Sequence, residues 1–265
     1  MEVNETIKCE YIRRENIIMK KYRLLALDLD DTLLTKDKQI SVENRKWINK
    51  AREAGVTVMF ATGRGMQTVE HLLEELALSG PMVLVNGAEV WAGASNLLER
   101  HYIGKEDIRI LHSLAEKAGA QFWGYSVESL THKKDWKDEM FDCNWMKFGI
   151  RHNDLSVIKQ LREQAKMLPN IDVTRSANTN MEISLSGISK ESGVRRICDH
   201  LRIEMDEVMA MGDNLNDSRL IQAAGFGIAM GNADPELKNV ADAITGHHEQ
   251  DGVADAIKRY LFGIE

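Results

Sequence analysis

A short apolar run that ends in aspartates constrains the fold of this chain more than any other feature. Residues 24–27 are all apolar, and Asp28, Asp30 and Asp31 follow them. Such a run is typical of a strand buried on both faces of a parallel sheet, and open α/β sheets bind ligands outside the carboxyl ends of their strands. Because Asp28 and Asp30 are two residues apart, an extended backbone directs both carboxylates to one side, where they repel each other unless a cation or a shared proton intervenes. The alternative is a turn that is merely rich in aspartate.

The sequence after this run alternates between strand-like and helix-like segments. Ser41 is a good helix N-cap and Gly55 a good helix end, which predicts a helix over residues 42–54. The same alternation predicts strands at residues 56–60, 82–85, 207–211 and 226–230, and helices at residues 66–77, 190–201, 217–224 and 254–261. Strands that alternate with helices indicate a parallel sheet, so we expect an α/β, doubly wound parallel-sheet core.

The pattern changes between residues 87 and 187, where strand-like segments cluster in pairs around helices. This grouping predicts an inserted α+β domain with hinges at residues 86–87 and 186–187, because glycine absorbs backbone rotation at low cost. The expected domains are a disordered N-terminal extension of residues 1–18, a core of residues 19–86 and 188–265, and an insert of residues 87–187. Within the insert, strands are predicted at residues 89–91, 121–126, 145–150, 171–174 and 181–185, and helices at residues 106–118 and 154–167.

Composition and charge narrow the class of function. A net charge of -7 argues against a broad nucleic-acid surface, which needs a basic patch. No apolar run is long enough to span a bilayer, and the first residues lack the apolar core of a signal peptide. The three cysteines, Cys9, Cys143 and Cys198, are too scattered for a disulfide framework or a zinc site and suit a reducing compartment. We therefore expect a cytoplasmic protein that binds neither nucleic acid nor a membrane, while its oligomeric state stays open.

Three further segments place polar groups at predicted strand ends or helix starts. Thr62 and Gly63 offer a hydroxyl and a backbone N–H to one anion. Lys190 begins a predicted helix, where its charge is unfavourable unless an anion binds nearby. The segment from Asp213 to Asp217 supplies two carboxylates and two carboxamides, and such oxygen ligands suit Mg²⁺. Taken singly, these segments are also consistent with an ordinary strand-to-helix turn, a solvated surface lysine and a capped turn.

Taken together, the segments resemble the haloacid dehalogenase-like superfamily, and its Cof-type sugar-phosphatase branch in particular. The motifs that carry the resemblance over about residues 20–262 are Asp28-x-Asp30, Thr62, Lys190 and Gly212-Asp213-x-x-Asn216-Asp217, together with Asn86-Gly87-Ala88, Gly231-Asn232-Ala233 and Asp251-Gly252-Val253-Ala254. One departure is Asp31, where the branch usually has glycine. The long interval between Thr62 and Lys190 has room for a cap domain, and its position implies a cap of the second type.

The resemblance implies a Mg²⁺-dependent phosphatase that hydrolyses small phosphate monoesters such as sugar phosphates. Asp28 would be the nucleophile that forms an aspartyl-phosphate, and Asp30 the general acid and base. The resemblance assigns the metal to Asp28, the Asp30 backbone carbonyl and Asp213, with Asn214 or Asp217 in support. It assigns the phosphoryl oxygens to Thr62, Lys190, Asn216 and the N–H groups of Leu29 and Gly63, with Thr62 and Lys190 also catalytic, and it assigns substrate contact to Arg64.

Three other functions stay open. A phosphosugar mutase uses the same aspartyl-phosphate but returns the phosphoryl group to a sugar. A phospho-accepting signalling module also combines a strand-end aspartate with threonine and lysine, but it needs neither Asp30 nor an insert. A regulatory protein that binds phosphate esters without catalysis ranks last, because every catalytic group is present.

Two groups of residues near the expected site have open roles. The charged side chains His132, Lys133, Lys134 and Lys137 would suit a second anionic group on the substrate, and Trp136 would suit stacking on a sugar. A solvated charged loop with aromatics in the core of the insert is the preferred alternative. His247 and His248 either border the site or lie in a surface loop, and the surface loop is preferred.

Overall fold

The computed structural model describes residues 22–264, so the predicted extension of residues 1–18 lies outside the described residues. The described chain forms two compact units. The first contains residues 22–60, 198–213 and 220–264, and the second contains Ala61–Ile197 and Asn214–Arg219. The predicted boundaries of the core and the insert stay a prediction.

The strands and helices follow the chain in a fixed order. The strands are β1 (Leu24–Leu27), β2 (Thr57–Ala61), β3 (Met82–Leu84), β4 (Glu89–Gly93), β5 (Asn96–Arg100), β6 (Gln121–Tyr125), β7 (Leu130–His132), β8 (Lys147–Arg151), β9 (Ile171–Thr174), β10 (Asn180–Leu185), β11 (Val208–Gly212), β12 (Phe226–Ala229) and β13 (Ala243–Ile244). The α-helices are α1 (Val42–Glu53), α2 (Glu70–Glu75), α3 (Lys105–Lys117), α4 (Leu155–Ala165), α5 (Lys190–Leu201), α6 (Ser218–Ala223), α7 (Pro235–Lys238) and α8 (Gly252–Ala256).

The first unit is built on parallel strands in the order β13-β12-β11-β1-β2. β1 is buried along its whole length, as an apolar strand between two parallel neighbours must be. In register, Leu27 lies beside Met211 of β11 and beside Phe60 of β2. The direction of winding reverses at β1, because β2 lies on one side of it and β11, β12 and β13 on the other. The carboxyl ends of β1 and β11 therefore flank the point at which open sheets of this kind bind ligands.

The helix predicted after the first strand is confirmed as α1. The Ser41 side chain accepts a hydrogen bond from the Asn44 N–H, which satisfies one of the free donors at the helix start. Gly55 follows the helix with a φ of +88°, a conformation that glycine adopts without a steric penalty. Trp47, Ile48 and other residues of one face are buried at the spacing of an amphipathic helix.

The second unit contains an antiparallel sheet in the order β7-β6-β8-β10-β9. Side chains alternate between its faces, so that Phe122 of β6 and Phe148 of β8 point into a core completed by residues of α3 and α4, such as Leu111 and Leu161. Their neighbours Trp123 and Lys147 occupy the opposite face. The predicted α/β class with an α+β module is confirmed.

Several elements differ from those predicted. The sequence does not predict β5, β7 or β13, because β7 and β13 are too short to show a periodicity and β5 is only partly buried. Residues 66–77 form a 3₁₀ turn at Met66–Thr68 followed by the short α2, since the β-branched pair Thr68–Val69 has weak helix propensity. Within residues 22–264, no helix combines the length and the apolar character that crossing a bilayer requires.

Candidate active site

Asp28 and Asp213 lie at the carboxyl ends of neighbouring strands in the first unit. Asp28 follows β1, and its backbone N–H donates to the Met211 carbonyl oxygen at 3.0 Å. Asp213 follows β11. Both residues are buried, and a carboxylate oxygen of one lies within 4.8 Å of a carboxylate oxygen of the other. Carboxylates this close repel each other in the absence of a cation, and an oxygen-only donor set fits Mg²⁺.

Local hydrogen bonds close the turn that follows β1. The Leu29 carbonyl oxygen accepts from the N–H groups of Thr32 and Leu34, at 3.3 and 2.9 Å. Leu29 is fully buried, yet its own N–H makes no hydrogen bond to any residue in the range 22–264. Thr32 Oγ1 donates to Asp213 Oδ1 at 3.4 Å. The turn therefore joins the two carboxylate positions and leaves one buried donor for a ligand.

Asp31 takes a left-handed conformation in this turn, with a φ of +57°. This region favours glycine, and aspartate is among the few other residues that tolerate it. The backbone thus explains why glycine is usual at this position and why aspartate is an acceptable replacement.

Asp30 lies at the edge of the same turn and is partly exposed. Its Oδ1 accepts a charge-assisted hydrogen bond from Lys38 Nζ at 2.7 Å, and both side chains retain about half of their exposure, at 42% and 50%. Contact with solvent suits a group that must exchange a proton, which is the role predicted for Asp30. Lys38 has no counterpart among the residues predicted from the sequence.

Asn232 and His248 brace this turn from the C-terminal part of the first unit. Asn232 Nδ2 donates to the Asp31 carbonyl oxygen at 2.7 Å, and the His248 N–H donates to Asn232 Oδ1 at 3.0 Å. His248 Nδ1 lies 2.9 Å from the Leu34 carbonyl oxygen, and His248 is only 3% exposed. The preferred assignment of His248 to a surface loop is therefore wrong, because the ring is held inside by that carbonyl. His247 is half-buried.

Thr62, Gly63 and Arg64 form a turn in the second unit. The Thr62 N–H donates to the carbonyl oxygen of Val83 in β3, and Thr62 Oγ1 accepts from the Arg64 N–H at 3.2 Å. The Gly63 N–H makes no hydrogen bond to any described residue. Like the Leu29 N–H, it can therefore donate to a ligand. Arg64 Nη1 donates to the Thr68 carbonyl oxygen at 3.3 Å, so this guanidinium contacts the 3₁₀ turn that follows.

Lys190 and Asp217 form a buried ion pair in the second unit. Lys190 Nζ lies 2.6 Å from Asp217 Oδ1, and the two side chains are 0% and 1% exposed. Asp217 Oδ2 also accepts from the Asn214 N–H at 3.1 Å. The alternative of a solvated surface lysine is therefore wrong. Asp217 fixes the ammonium group of Lys190 and closes its own turn at the same time.

A second buried ion pair, between Lys147 and Glu182, was not predicted. Lys147 of β8 and Glu182 of β10 lie on the face of the antiparallel sheet opposite its core, with Nζ 3.4 Å from Oε2 and side chains 3% and 9% exposed. Lys147 Nζ also donates to the Gly63 carbonyl oxygen at 2.6 Å. The pair therefore links the sheet to the turn that carries Thr62.

Glu182 also contacts two other turns. Its Oε2 accepts from Asn86 Nδ2 at 2.6 Å, and its Oε1 accepts from Ser176 Oγ at 2.9 Å. Burial on its own raises the pKa of Glu182, but the charge of Lys147 and these two hydrogen bonds hold the pKa below its usual value. Glu182 is therefore ionised at neutral pH.

Asn86 and Ser176, the two hydrogen-bond partners of Glu182, also bond to the predicted site residues Asn216 and Asn214. Asn216 Nδ2 donates to Asn86 Oδ1 at 3.3 Å, and Asn214 Nδ2 donates to the Ser176 carbonyl oxygen at 2.8 Å. Asn86 has a φ of +57°, and the preceding β-branched Val85 has a φ of +53°. Such strain is uncommon in β-branched residues and concentrates at functional sites.

A family model described as haloacid dehalogenase-like hydrolase matches residues 25–153 and 131–257. The chain belongs to this family. It is 36% identical to the 5-amino-6-(5-phospho-D-ribitylamino)uracil phosphatase YcsE of Bacillus subtilis (strain 168). The alignment of 250 residues covers 94% of this chain and 99% of that protein. It is 26% identical to the pyridoxal phosphate phosphatase YbhA of Escherichia coli (strain K12). That alignment of 269 residues covers 90% of this chain and 98% of that protein.

A solved haloacid dehalogenase-like hydrolase from B. subtilis has the same fold, with a TM-score of 0.83 and 23% identity over 90% of this chain and 100% of that chain. The resemblance to the Cof-type branch is confirmed, and the chain is a phosphoric monoester hydrolase of the haloacid dehalogenase-like family. Hydrolases of this family generally use a divalent metal ion, and the Asp28 and Asp213 carboxylates offer a suitable pair of ligands.

The aromatic and charged residues predicted near the hydrolase site divide into two groups. Trp136 stacks on Trp145 with ring centroids 4.7 Å apart and packs against Phe148, so its preferred assignment to the core of the insert is confirmed. Lys133 is hydrogen bonded to Glu116. Together with Lys133, the exposed His132 and Lys134 line a concave surface of the antiparallel sheet.

Proposed function

We propose that this hydrolase is a Mg²⁺-dependent phosphatase that acts on small phosphate monoesters through an aspartyl-phosphate on Asp28. The observation that carries the proposal is the pair of buried carboxylates, Asp28 and Asp213, at the ends of neighbouring strands where the sheet reverses its winding. A nucleophile placed there needs no base, because a carboxylate is ionised at neutral pH.

The reaction has two steps, and both use Asp28 and Asp30. In the first, an Asp28 carboxylate oxygen attacks phosphorus, the bond from phosphorus to the ester oxygen breaks, and Asp30 gives its proton to the departing alkoxide. In the second, the Asp30 carboxylate takes a proton from water as that water attacks phosphorus, and the bond from phosphorus to the Asp28 oxygen breaks. Inorganic phosphate leaves, and both side chains return to their starting states.

The remaining site residues supply charge and hydrogen bonds. Mg²⁺ would be held by Asp28, the Asp30 backbone carbonyl and Asp213, with Asn214 or Asp217 in support. When bound, it offsets the repulsion between the nucleophile and the anionic phosphate. The donors for the phosphoryl oxygens would be Thr62, Lys190, Asn216 and the N–H groups of Leu29 and Gly63, and the open donor capacity of those two N–H groups supports this assignment.

The names of two relatives support a proposal for the substrate class. One is named for a phosphoribitylamino-uracil and another for pyridoxal phosphate, so we propose a small metabolite that carries one phosphate ester. Arg64 is the proposed contact to the rest of the substrate. The segment of residues 87–187 is the proposed cap, and a cytoplasmic location stays a prediction.

Phosphate release tests the proposal. The substrates would be sugar phosphates, pyridoxal 5′-phosphate, flavin mononucleotide and p-nitrophenyl phosphate, with wild type and Asp28→Asn measured side by side. We expect Mg²⁺-dependent release by wild type that ends on chelation and falls by orders of magnitude in Asp28→Asn. Full turnover by Asp28→Asn would disprove the assignment of the nucleophile. If wild type instead forms a stable acyl-phosphate on Asp28 and releases no phosphate, the result would favour a mutase or a phospho-accepting module.

A further inference from the structure

The Asn214–Arg219 segment belongs to the second unit, although the chain on either side of it belongs to the first. Two of its side chains donate to other parts of the second unit, Asn214 to the Ser176 carbonyl oxygen and Asn216 to Asn86 Oδ1. Asn214 is proposed to support the metal and Asn216 to bind the phosphoryl group. The contacts that hold this segment therefore also hold residues of the proposed site.

Arg219, the last residue of the segment, supplies a third contact by forming an ion pair with Asp172 of β9. Arg219 Nη1 lies 2.7 Å from Asp172 Oδ2, and the two side chains are 57% and 21% exposed. The two residues are 47 positions apart in the chain, so the pair joins the segment to a strand of the insert. It is a charge-assisted hydrogen bond in contact with solvent.

Asp172 also contacts the predicted hinge at residues 186–187. Its Oδ1 accepts a hydrogen bond from Ser186 Oγ, and its Oδ2 accepts one from the Gly187 N–H, each at 3.4 Å. Gly187 has a φ of +80°, which glycine adopts without a steric penalty. One carboxylate thus binds both the hinge and the Asn214–Arg219 segment, and backbone rotation at Gly187 would carry it away from Arg219.

The ion pair borders a small polar cavity beside two of the proposed phosphate donors. The cavity has a volume of about 40 Å³, enough for at most a few water molecules, and Lys190 and Asn216 line it together with Asp172 and Arg219. Because Arg219 is exposed and Lys190 is buried, the ion pair lies on the solvent side of the cavity. Separation of the pair would admit water beside these donors.

The strength of the Arg219–Asp172 contact suits a reversible device. An exposed ion pair contributes little to the stability of a fold and is weakened by salt. A contact that breaks and reforms in each catalytic cycle needs this property, because a switch operates only when its two states are close in free energy. The buried pair of Lys190 with Asp217 lacks it, since separation would leave two charges without compensation.

We propose that Arg219 and Asp172 form a latch between the Asn214–Arg219 segment and the insert, and that this latch opens and closes with rotation at the hinge. The closed latch holds Asn214 and Asn216 in the positions described above, and the open latch lets them move. Arg219 and Asp172 are therefore positioning residues that act through the two asparagines. The inference goes beyond the proposed phosphatase function and uses it only for the roles of those asparagines.

Hydrogen–deuterium exchange of the full chain without any ligand tests the latch. We expect the backbone amides of residues 214–219 to exchange up to about fivefold faster in Arg219→Gln than in wild type, the range that an exposed ion pair accounts for. In about 0.5 M salt, wild type should approach the rate of Arg219→Gln, which itself should change little. Arg195→Gln is the control and should exchange like wild type, because Arg195 is similarly exposed, at 54%, and its ion pair with Glu191 lies within one helix.

An exchange of the two charges distinguishes a latch from a general loss of structure. Arg219→Glu and Asp172→Arg should each speed exchange in residues 214–219. The double variant Arg219→Glu/Asp172→Arg should slow it again, because opposite charges then face each other once more. Wild-type exchange in Arg219→Gln, or a double variant that exchanges as fast as the two single variants, would overturn the inference.

Steady-state kinetics with p-nitrophenyl phosphate separates the latch from the phosphatase proposal. At low salt, Arg219→Gln should raise KM by up to about fivefold, because the binding-competent state is less populated, and should leave kcat within about twofold of wild type. If wild type releases no phosphate but the exchange results hold, only the phosphatase proposal fails. Normal turnover together with wild-type exchange in every variant would leave the phosphatase intact and overturn the latch.

Discussion

Lys147 Nζ donates a hydrogen bond of 2.6 Å to the carbonyl oxygen of Gly63, so a strand of the antiparallel sheet holds the backbone of the turn that carries Thr62. The peptide that begins at Gly63 is therefore fixed through its carbonyl. Glu182, on the neighbouring strand, forms an ion pair with the same ammonium group. Its carboxylate also accepts hydrogen bonds from the side chains of Asn86 and Ser176. The geometry proposed for catalysis thus depends on residues that need not touch the substrate.

Removal of Lys147 should cost both stability and activity. Lys147→Met leaves Glu182 buried without its cation, and we expect a loss of about 3 kcal/mol in the free energy of unfolding, measured with urea. It also frees the Gly63 carbonyl, so kcat should fall more than KM rises. Lys166→Met is the control, because the exposed pair of Lys166 with Glu163 should contribute less than about 1 kcal/mol.

The double variant Lys147→Met/Glu182→Gln checks the cause. It should be less destabilised than the sum of the two single variants, because the second substitution removes the uncompensated charge. Additive losses would show that the two side chains act independently.

Glu182 should make the folded state sensitive to acid. Its pKa is lowered from the usual 4.5, although burial opposes this, because Lys147, Asn86 and Ser176 favour the carboxylate. Between the folded and unfolded pKa values the unfolded chain binds more protons, so this stabilisation is present above pH 4.5 and is lost as the pH falls through the folded value. Urea unfolding from pH 6 to 3 should show a shallower decline for Glu182→Gln than for wild type. The exposed Glu128→Gln should keep the wild-type slope.

Local sequence patterns predict which polar residues follow a strand. They do not predict which residues become neighbours through the pairing of distant strands. Asp28, Asp30 and Asp213 follow apolar runs, so their placement at strand ends can be predicted. Lys147 and Glu182 are single charges between apolar neighbours on strands far apart in the chain. The alternation places each of them opposite a buried neighbour, but nothing in the sequence indicates that β8 and β10 are adjacent.

The burial of His248 was also not predicted from the sequence. His248 begins a 3₁₀ turn in a polar segment, where Asn232 holds its backbone and the Leu34 carbonyl oxygen holds its buried ring. Such a contact joins residues more than 200 positions apart, so no window of sequence contains it.

Lys190 and Asp217 should respond differently to substitution. Lys190→Met removes a donor proposed for the phosphoryl oxygens, and we expect kcat to fall by about 10²-fold or more. Asp217→Asn keeps one of the two acceptor oxygens, so Lys190 Nζ retains a partner while the Asn214 N–H loses its own, and the loss of kcat should be smaller than for Lys190→Met. Steady-state kinetics with p-nitrophenyl phosphate measures both, and near-wild-type turnover by Lys190→Met would contradict its assigned role.

Asp31 should be replaceable by glycine but not by a β-branched residue. Its φ of +57° costs any residue with a Cβ, so Asp31→Gly should leave the free energy of unfolding within about 1 kcal/mol of wild type. Asp31→Val should lose about 1–2 kcal/mol through the same strain. Equal stability of Asp31→Val and Asp31→Gly in urea would show that the turn relaxes away from this conformation.

Asp30 should matter most for esters with poor leaving groups. As a general acid it protonates the departing alkoxide, whereas p-nitrophenolate leaves without a proton. Asp30→Asn should therefore reduce aspartyl-phosphate formation from an alkyl ester such as ribitol 5-phosphate far more than from p-nitrophenyl phosphate, measured by rapid quench in a single turnover. Lys38→Met removes the ion-pair partner of Asp30 but not the proton donor, and it should change the two esters equally. If Asp30→Asn also slows both esters equally, the side chain positions the site and does not transfer the proton.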